Sequence, residues 1–280
     1  MIRHLAASGL VLLATGPVMA QTLERVAETG ELRVGYRETA VPFSHVDATT
    51  GVPSGYTVAL CAAIAEDIAA AAGIEDLRVD YVATTATARF DDVAEGRIDL
   101  LCGAATQTLA RREVVDFSIP TFVDGAGLAV PRDGARSMRD LDGETIAVTA
   151  GTTTEEALRR MLDETGLAAE VLAVADHDAG LDALEDGSAA AYFADRAILQ
   201  FLTAERGAAD IGIVADQFTL ETHALALPRG DSDFRLAVDR GLSRLYLTGA
   251  VDALFAEAFG PNAEMTELLR ALYRVSALPR

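Results

Sequence analysis

The sequence predicts an α/β fold built from two units of similar size, and three observations carry that expectation. Short apolar segments alternate with amphipathic helical ones along most of the chain, the pattern of largely parallel strands joined by helical crossovers. The alternation pauses near Pro131 and starts again, and the apolar stretches at residues 125–130 and 222–227 flank the middle unit as two strands crossing between lobes. Half of the residues are apolar, which is ample for packed cores and incompatible with a disordered chain.

Residues 1–20 are set aside first. Arg3 gives a positive start, residues 5–13 are a short apolar run, and Val18-Met19-Ala20 reads as a small-residue cleavage site, so a signal peptide is expected. A membrane span needs about 20 apolar residues, and Thr15, Gly16 and Pro17 interrupt this run; an uncleaved, membrane-retained signal is the alternative. No cysteine stands at the cleavage point to carry a lipid anchor.

From there the first unit reads as a strand at 32–36, a helix at 56–72, a strand at 77–82, a helix at 88–95 and a strand at 98–102. The second reads as a strand at 145–149, a helix at 154–165, a strand at 171–174, a helix at 179–186 and a strand at 189–193. Helices at 231–247 and 251–259 bring the chain back to the first unit. The organisation that follows is a signal peptide at 1–20, lobe I at 21–126, lobe II at 127–221, and a return to lobe I with C-terminal helices at 222–280. In such sheets the carboxyl ends of the strands converge on one cleft.

The chain has 43 acidic residues against 23 basic ones, a net charge of −20 that becomes one unit more negative without Arg3. Nucleic acids and anionic membrane surfaces are repelled at long range, leaving small molecules and proteins as partners. No lysine occurs, so every fixed positive charge is a guanidinium. The cysteines Cys61 and Cys102 stand in a chain addressed to an oxidising compartment, where a disulfide is the natural state and two buried free thiols the alternative. His45, His177 and His223 lack the spacing of metal ligands, and no metal or cofactor is expected.

The segment GAATQTLARREVVDFS, residues 103–118, places Arg111 among small and hydroxyl-bearing residues. Together with Arg37, Arg89 and the threonine-rich turn at 149–154, it suggests a pocket for a small zwitterion or dicarboxylate. Each of these residues also has a plainer reading. Arg111 could pair with Glu113 or Asp116 on the surface, Thr152 or Thr153 could simply cap a helix, and Asp195 could cap the helical stretch that begins at Arg196.

The segments LRVGYRETAVPFS, GYTVALCAAIA, DLLCG, LARREVVDFS, TAGTTTEEALRR and ADHDA resemble the periplasmic solute-binding proteins of ABC importers for polar amino acids. Within that group they are most similar to the glutamate/aspartate binders, over residues 23–259. The resemblance implies a two-lobed, type II venus-flytrap architecture with two hinge crossings, a periplasmic location, no catalysis, and an ABC permease as partner. It implies that Arg111 grips the ligand α-carboxylate, that Thr106 offers its hydroxyl and backbone N–H, that Ala104 contributes through its backbone, and that Thr152 and Thr153 present a helix N-terminus. Asp195 takes the place of the ammonium-binding carboxylate, and Arg37, Arg89 and His177 surround the distal carboxylate of L-glutamate or L-aspartate. Asp176 and Asp178 could keep His177 protonated, a plain surface loop being the alternative. Ala86 and Ala104 stand where those relatives carry serine, and Ala86 is expected near the distal carboxylate.

Two other roles fit the same scaffold. A dehydratase resembling cyclohexadienyl dehydratase would need a cleft acid with a raised pKa, and no acid is singled out by sequence. A ligand-binding module serving a separate membrane sensor is the other. No apolar stripe beyond the expected cores is visible, so a monomer is expected.

Overall fold

A computed structural model describes residues 22–279; the expected signal peptide lies outside the described residues. Two five-stranded sheets organise the chain. In the first, Glu31–Tyr36 pairs in parallel with Arg78–Ala83 and Leu100–Leu101, and Ala226–Pro228 then runs antiparallel between Leu100–Leu101 and Val115–Phe117. In the second, Thr145–Thr149 is parallel to Glu170–Val174 and to Ala191–Asp195, and Ala126–Pro131 joins antiparallel, followed by Ile211–Ile213. The sheets are therefore mixed, each with a parallel core of three strands and antiparallel additions where the chain changes sheet.

The crossing itself differs from the sequence expectation. The stretch at 125–130 belongs to the second sheet as Ala126–Pro131, and the chains cross just before it. There Phe122–Asp124 and Glu221–His223 form a separate two-stranded antiparallel ribbon, with Glu221 opposite Asp124 and His223 opposite Phe122. Polar residues in an otherwise apolar run mark this ribbon: it is flanked by both sheets and belongs to neither.

Helix Tyr56–Ala72 starts and stops where its sequence directs, ending at Gly73 in the left-handed conformation that glycine adopts without strain. Its apolar face, with Tyr56, Leu60, Ile64 and Ile68 fully buried, packs on helix Ser232–Thr248. The approach is close: a Cβ on Gly241 would lie 2.7 Å from Ile64 Cβ. A second core lies under Thr145–Thr149 and Ala191–Asp195, built from Leu128, Ile146, Val148, Leu158 and Phe193. The amphipathic C-terminal helix Glu267–Ser276, absent from the sequence reading, buries Leu269 and Tyr273 against the first lobe, and the Tyr273 hydroxyl donates to the Thr121 carbonyl at 3.0 Å beside the ribbon. Among the described residues no helix is long and apolar enough to cross a membrane.

Cys61, on helix Tyr56–Ala72, is bonded to Cys102 at the end of strand Leu100–Leu101, 41 residues later. On the loop-entropy model a link of this length restricts the unfolded chain by about 4 kcal/mol. Replacing both cysteines with alanine is expected to lower the urea-unfolding free energy by about 2–4 kcal/mol, and a reductant should then have no further effect on the variant.

Candidate functional site

Nearly every residue of interest sits just past a strand's carboxyl end, where backbone groups have left the sheet and side chains can face the gap between lobes. Arg37 follows Glu31–Tyr36; Arg89 opens helix Arg89–Ala94 after the strand Arg78–Ala83; Ala104 and Thr106 follow Leu100–Leu101; Arg111 lies in the short helix Leu109–Arg112. From the other lobe, Thr152 caps helix Thr153–Thr165, His177 opens helix His177–Glu185, and Asp195 ends strand Ala191–Asp195. These residues, with Thr154, line one enclosed polar cavity of about 20 Å³. Ala86 is buried and is not among its lining residues.

Contacts across the cavity join the lobes. The Thr153 hydroxyl lies 3.2 Å from that of Thr106 and 2.8 Å from Glu221 Oε2, and Arg89 Nη2 donates to the Gly151 carbonyl at 3.4 Å. Thr152 does both things the sequence allowed: its hydroxyl accepts from Glu155 N at 3.1 Å, capping the helix, while the residue lines the cavity.

Arg111 does not pair with Glu113 or Asp116. Its Nη1 donates to the Thr106 carbonyl at 2.8 Å, and its guanidinium lies 4.7 Å from the Phe90 ring centre. Arg89 sits 4.6 Å from the same ring, so Phe90 separates and carries two cations. Residue Thr106 pairs with His223 through Ala224 N to Ala105 O and Gln107 N to Thr222 O, which leaves the Thr106 N–H outside that ladder.

The arginines are short of negative charge. Arg89 is 3% exposed, and its Nε and Nη1 have no hydrogen-bond partner among the described residues. Burial, then the neighbouring Arg111 and Arg37 charges, pull its pKa well below the ordinary value, and burial also lowers those of Arg37 and Arg111. A guanidinium does not give up its proton, so these shifts register an unmet demand for an anion.

His177 is buried and its imidazole is held below its usual pKa, which goes against both readings offered by the sequence, a ring kept protonated by its acidic neighbours and a plain surface loop. Asp176 caps the helix by accepting from Ala179 N at 2.9 Å, and Asp178 pairs with Arg206 at 2.9 Å. Burial, then Arg37 and Arg89, hold the imidazole well below its usual pKa. Nδ1 lies 2.6 Å from the Tyr192 hydroxyl, which also reaches Thr149 Oγ1 at 3.0 Å. Gly180 makes room for this tyrosine: a Cβ there would come within 2.3 Å of the Tyr192 ring.

Facing the arginines is an acidic wall whose members the sequence reading did not find apart from Asp195. Asp195 does not cap the helix after it with its side chain. Asp124 does that work, accepting from Ala197 N at 3.1 Å and Gly125 N at 2.8 Å. Burial pushes the Asp195 carboxyl well above the usual range, with the Asp124 and Glu221 charges adding to it. Asp124 is pushed up to about 6, mainly by burial. Burial also favours a neutral Glu221, but hydroxyl donors from Thr106, Thr219 and Thr153 outweigh it and leave this carboxyl below its ordinary value. Acids with raised pKa values are thus present at the cleft, though none was singled out by sequence. Among the described residues no group of three or more His, Cys, Asp or Glu side chains could hold a metal ion.

The family model of bacterial extracellular solute-binding proteins, family 3, matches residues 32–261, and the chain belongs to that family. It is 29% identical to the L-glutamate/L-aspartate-binding protein of Pseudomonas aeruginosa over 253 residues, covering 88% of this chain and 84% of the relative. To the glutamate/aspartate import solute-binding protein of Salmonella typhimurium it is 28% identical over 269 residues, 92% of this chain and 89% of that one. The fold is also similar to that of an ancestral amino acid-binding protein described as a precursor of cyclohexadienyl dehydratase, with a TM-score of 0.75 and 26% identity over 85% of this chain and 99% of that one.

Two stability measurements check this electrostatic picture. Arg89→Leu removes a buried, unpaired charge, and urea unfolding of the ligand-free variant is expected to show a gain of about 1–3 kcal/mol. For Asp124, the unfolded carboxyl titrates near 3.9 and the folded one at about 6. Between those values the folded protein binds a proton that the unfolded chain lacks, so this group makes stability rise as the pH falls through 6, and the gain is complete below about 4. Asp124→Asn is expected to lack that limb when unfolding is compared at pH 7 and pH 5.

Proposed function

We propose that this family member captures an L-amino acid with an anionic side chain, glutamate or aspartate, between its two lobes and delivers it to an ABC permease from the periplasm. The observation that carries the reading is Arg89, buried with two unpartnered nitrogens beside Arg37 and Arg111 and facing Asp195. A neutral side chain would leave these cations uncompensated, whereas a dicarboxylate supplies two anionic ends and an ammonium for the acidic wall.

Arg111, with its planar fork, takes the α-carboxylate, assisted by the free Thr106 N–H and by the N–H groups at the start of helix Thr153–Thr165. Asp195 takes the α-ammonium. Arg37 and Arg89 hold the distal carboxylate, and a neutral His177 whose Nδ1 accepts from Tyr192 has Nε2–H free to donate to it. A volume of about 20 Å³ has room for about one water. Admitting an amino acid therefore requires the lobes to part, and bending of the ribbon formed by Phe122–Asp124 and Glu221–His223 is the motion we assign to it. The curated relatives named above are solute-binding proteins, which supports binding without chemistry.

The test is calorimetric titration of the mature, ligand-stripped protein with L-glutamate, L-aspartate and L-glutamine. Binding of an acid in the sub-micromolar to micromolar range is expected, with glutamine weaker by about 100-fold or more. Arg111→Met should lose about 30-fold or more in affinity for the same acid. Binding of glutamine as tightly as glutamate would overturn the ligand assignment. Formation of an aromatic product from prephenate or arogenate would move the reading to the dehydratase class, for which the raised Asp195 and Asp124 carboxyls would be the first residues to examine.

A further inference from the structure

His223 lies on the crossing ribbon directly behind the site. It is 1% exposed, and neither ring nitrogen has a hydrogen-bond partner among the described residues. Its Nε2 is 3.6 Å from Asp195 Oδ2, a gap that a small shift of either side chain converts into a hydrogen bond. The ring is held in place by Phe43 at 5.3 Å edge-on and Phe122 at 6.2 Å in a stack, and the His223 carbonyl accepts from Thr121 N at 2.8 Å.

We propose that His223 is a positioning residue that shares one proton with Asp195, so that the proton and the ligand's ammonium are alternative occupants of the same carboxylate. The proposal rests on the reading that Asp195 receives the ammonium. When the ammonium docks, the shared proton leaves to bulk water, so the carboxyl becomes a carboxylate whose single negative charge faces the ammonium, and the imidazole is left neutral beside it. A carboxyl that keeps the proton cannot also offer a buried ammonium its compensating negative charge.

The groups facing the imidazole set the balance. Glu221, two residues earlier on the same strand and therefore on the same face, favours the protonated ring, and Asp124 stands opposite Glu221 in the ribbon. Arg111 from helix Leu109–Arg112 and Arg89 from helix Arg89–Ala94 oppose protonation. Burial is the largest influence, and the balance of all of them holds the ring at about 4, while burial pushes the Asp195 carboxyl in the other direction. A proton entering this pair has one buried acid and one buried base from which to take its hydrogen bond, and removing the imidazole makes the proton easier to lose.

Two measurements test the pair. In the first, the Kd for L-glutamate is followed from pH 4 to pH 8 for the wild type and for His223→Phe, which keeps a ring between Phe43 and Phe122. Affinity is expected to fall toward acid in both, with the midpoint of that fall about one pH unit lower in the variant; coincident profiles would overturn the proposal. His223→Leu, which neither accepts a hydrogen bond nor titrates, replaces it if the phenylalanine variant does not fold. The second measurement needs no ligand: the His223 ring resonances are titrated by NMR in the wild type and in Asp195→Asn. The inflection should move to lower pH by about one unit without the carboxyl, and identical titrations would overturn the proposal. Failure of acidic amino acids to bind at pH 7.5 would instead sink the ligand assignment, and the NMR comparison would still decide whether the proton is shared.

Discussion

Everything at the cleft depends on one electrostatic constraint: three guanidinium groups, from Arg37, Arg89 and Arg111, are drawn out of water with no carboxylate paired to them among the described residues. The first lobe supplies all three, and the facing acids Asp195, Asp124 and Glu221 come from the second lobe and from the ribbon. Two of the acids are engaged elsewhere, Asp124 by backbone N–H groups of Gly125 and Ala197 and Glu221 by threonine hydroxyls, while burial disfavours the charged form of Asp195. What the arginines and the acids have in common is a gap that suits a molecule carrying both signs.

The contrast with the rest of the protein is informative. Asp99, also buried, is met by both Arg25 and Arg33, with Arg33 Nη2 at 2.7 Å from its Oδ1. That cluster is closed and structural. Elsewhere on the surface, Arg206 gathers Asp178, Asp182 and Glu185, and Arg244 grips Asp67. In a chain with almost twice as many acids as arginines, a trio of arginines left without carboxylates is the arrangement that demands a cause.

Much of this was legible in the sequence because it is local. Strand Thr145–Thr149 and helix Tyr56–Ala72 have the expected bounds, since each is set by its own apolar pattern and by residues such as Gly73 at its end. The candidate pocket residues could be placed together because the fold class puts the carboxyl ends of parallel strands at one gap. What could not be read was decided across the chain. His177 has two acidic neighbours in sequence, but one caps a helix and the other turns to Arg206, so its charge is set by Arg37, Arg89 and burial. Asp124 lies just before the apolar stretch at 125–130 and His223 within the one at 222–227, and their meaning appears only when Phe122–Asp124 and Glu221–His223 are found side by side. The C-terminal helix was missed although its pattern is amphipathic, because its partner surface is assembled from the opposite end of the chain.

That ribbon carries Asp124, Glu221 and His223 on the two strands about which the lobes would swing. On that proposed motion the residues that tune charge at the site are the same ones that form the pivot. Any substitution made here to alter which molecule is preferred would also change how readily the two halves open. On the proposed ribbon-centred motion selectivity and compliance are inherited together, and Arg37, at a strand end away from the ribbon, is the place to change the first while sparing the second.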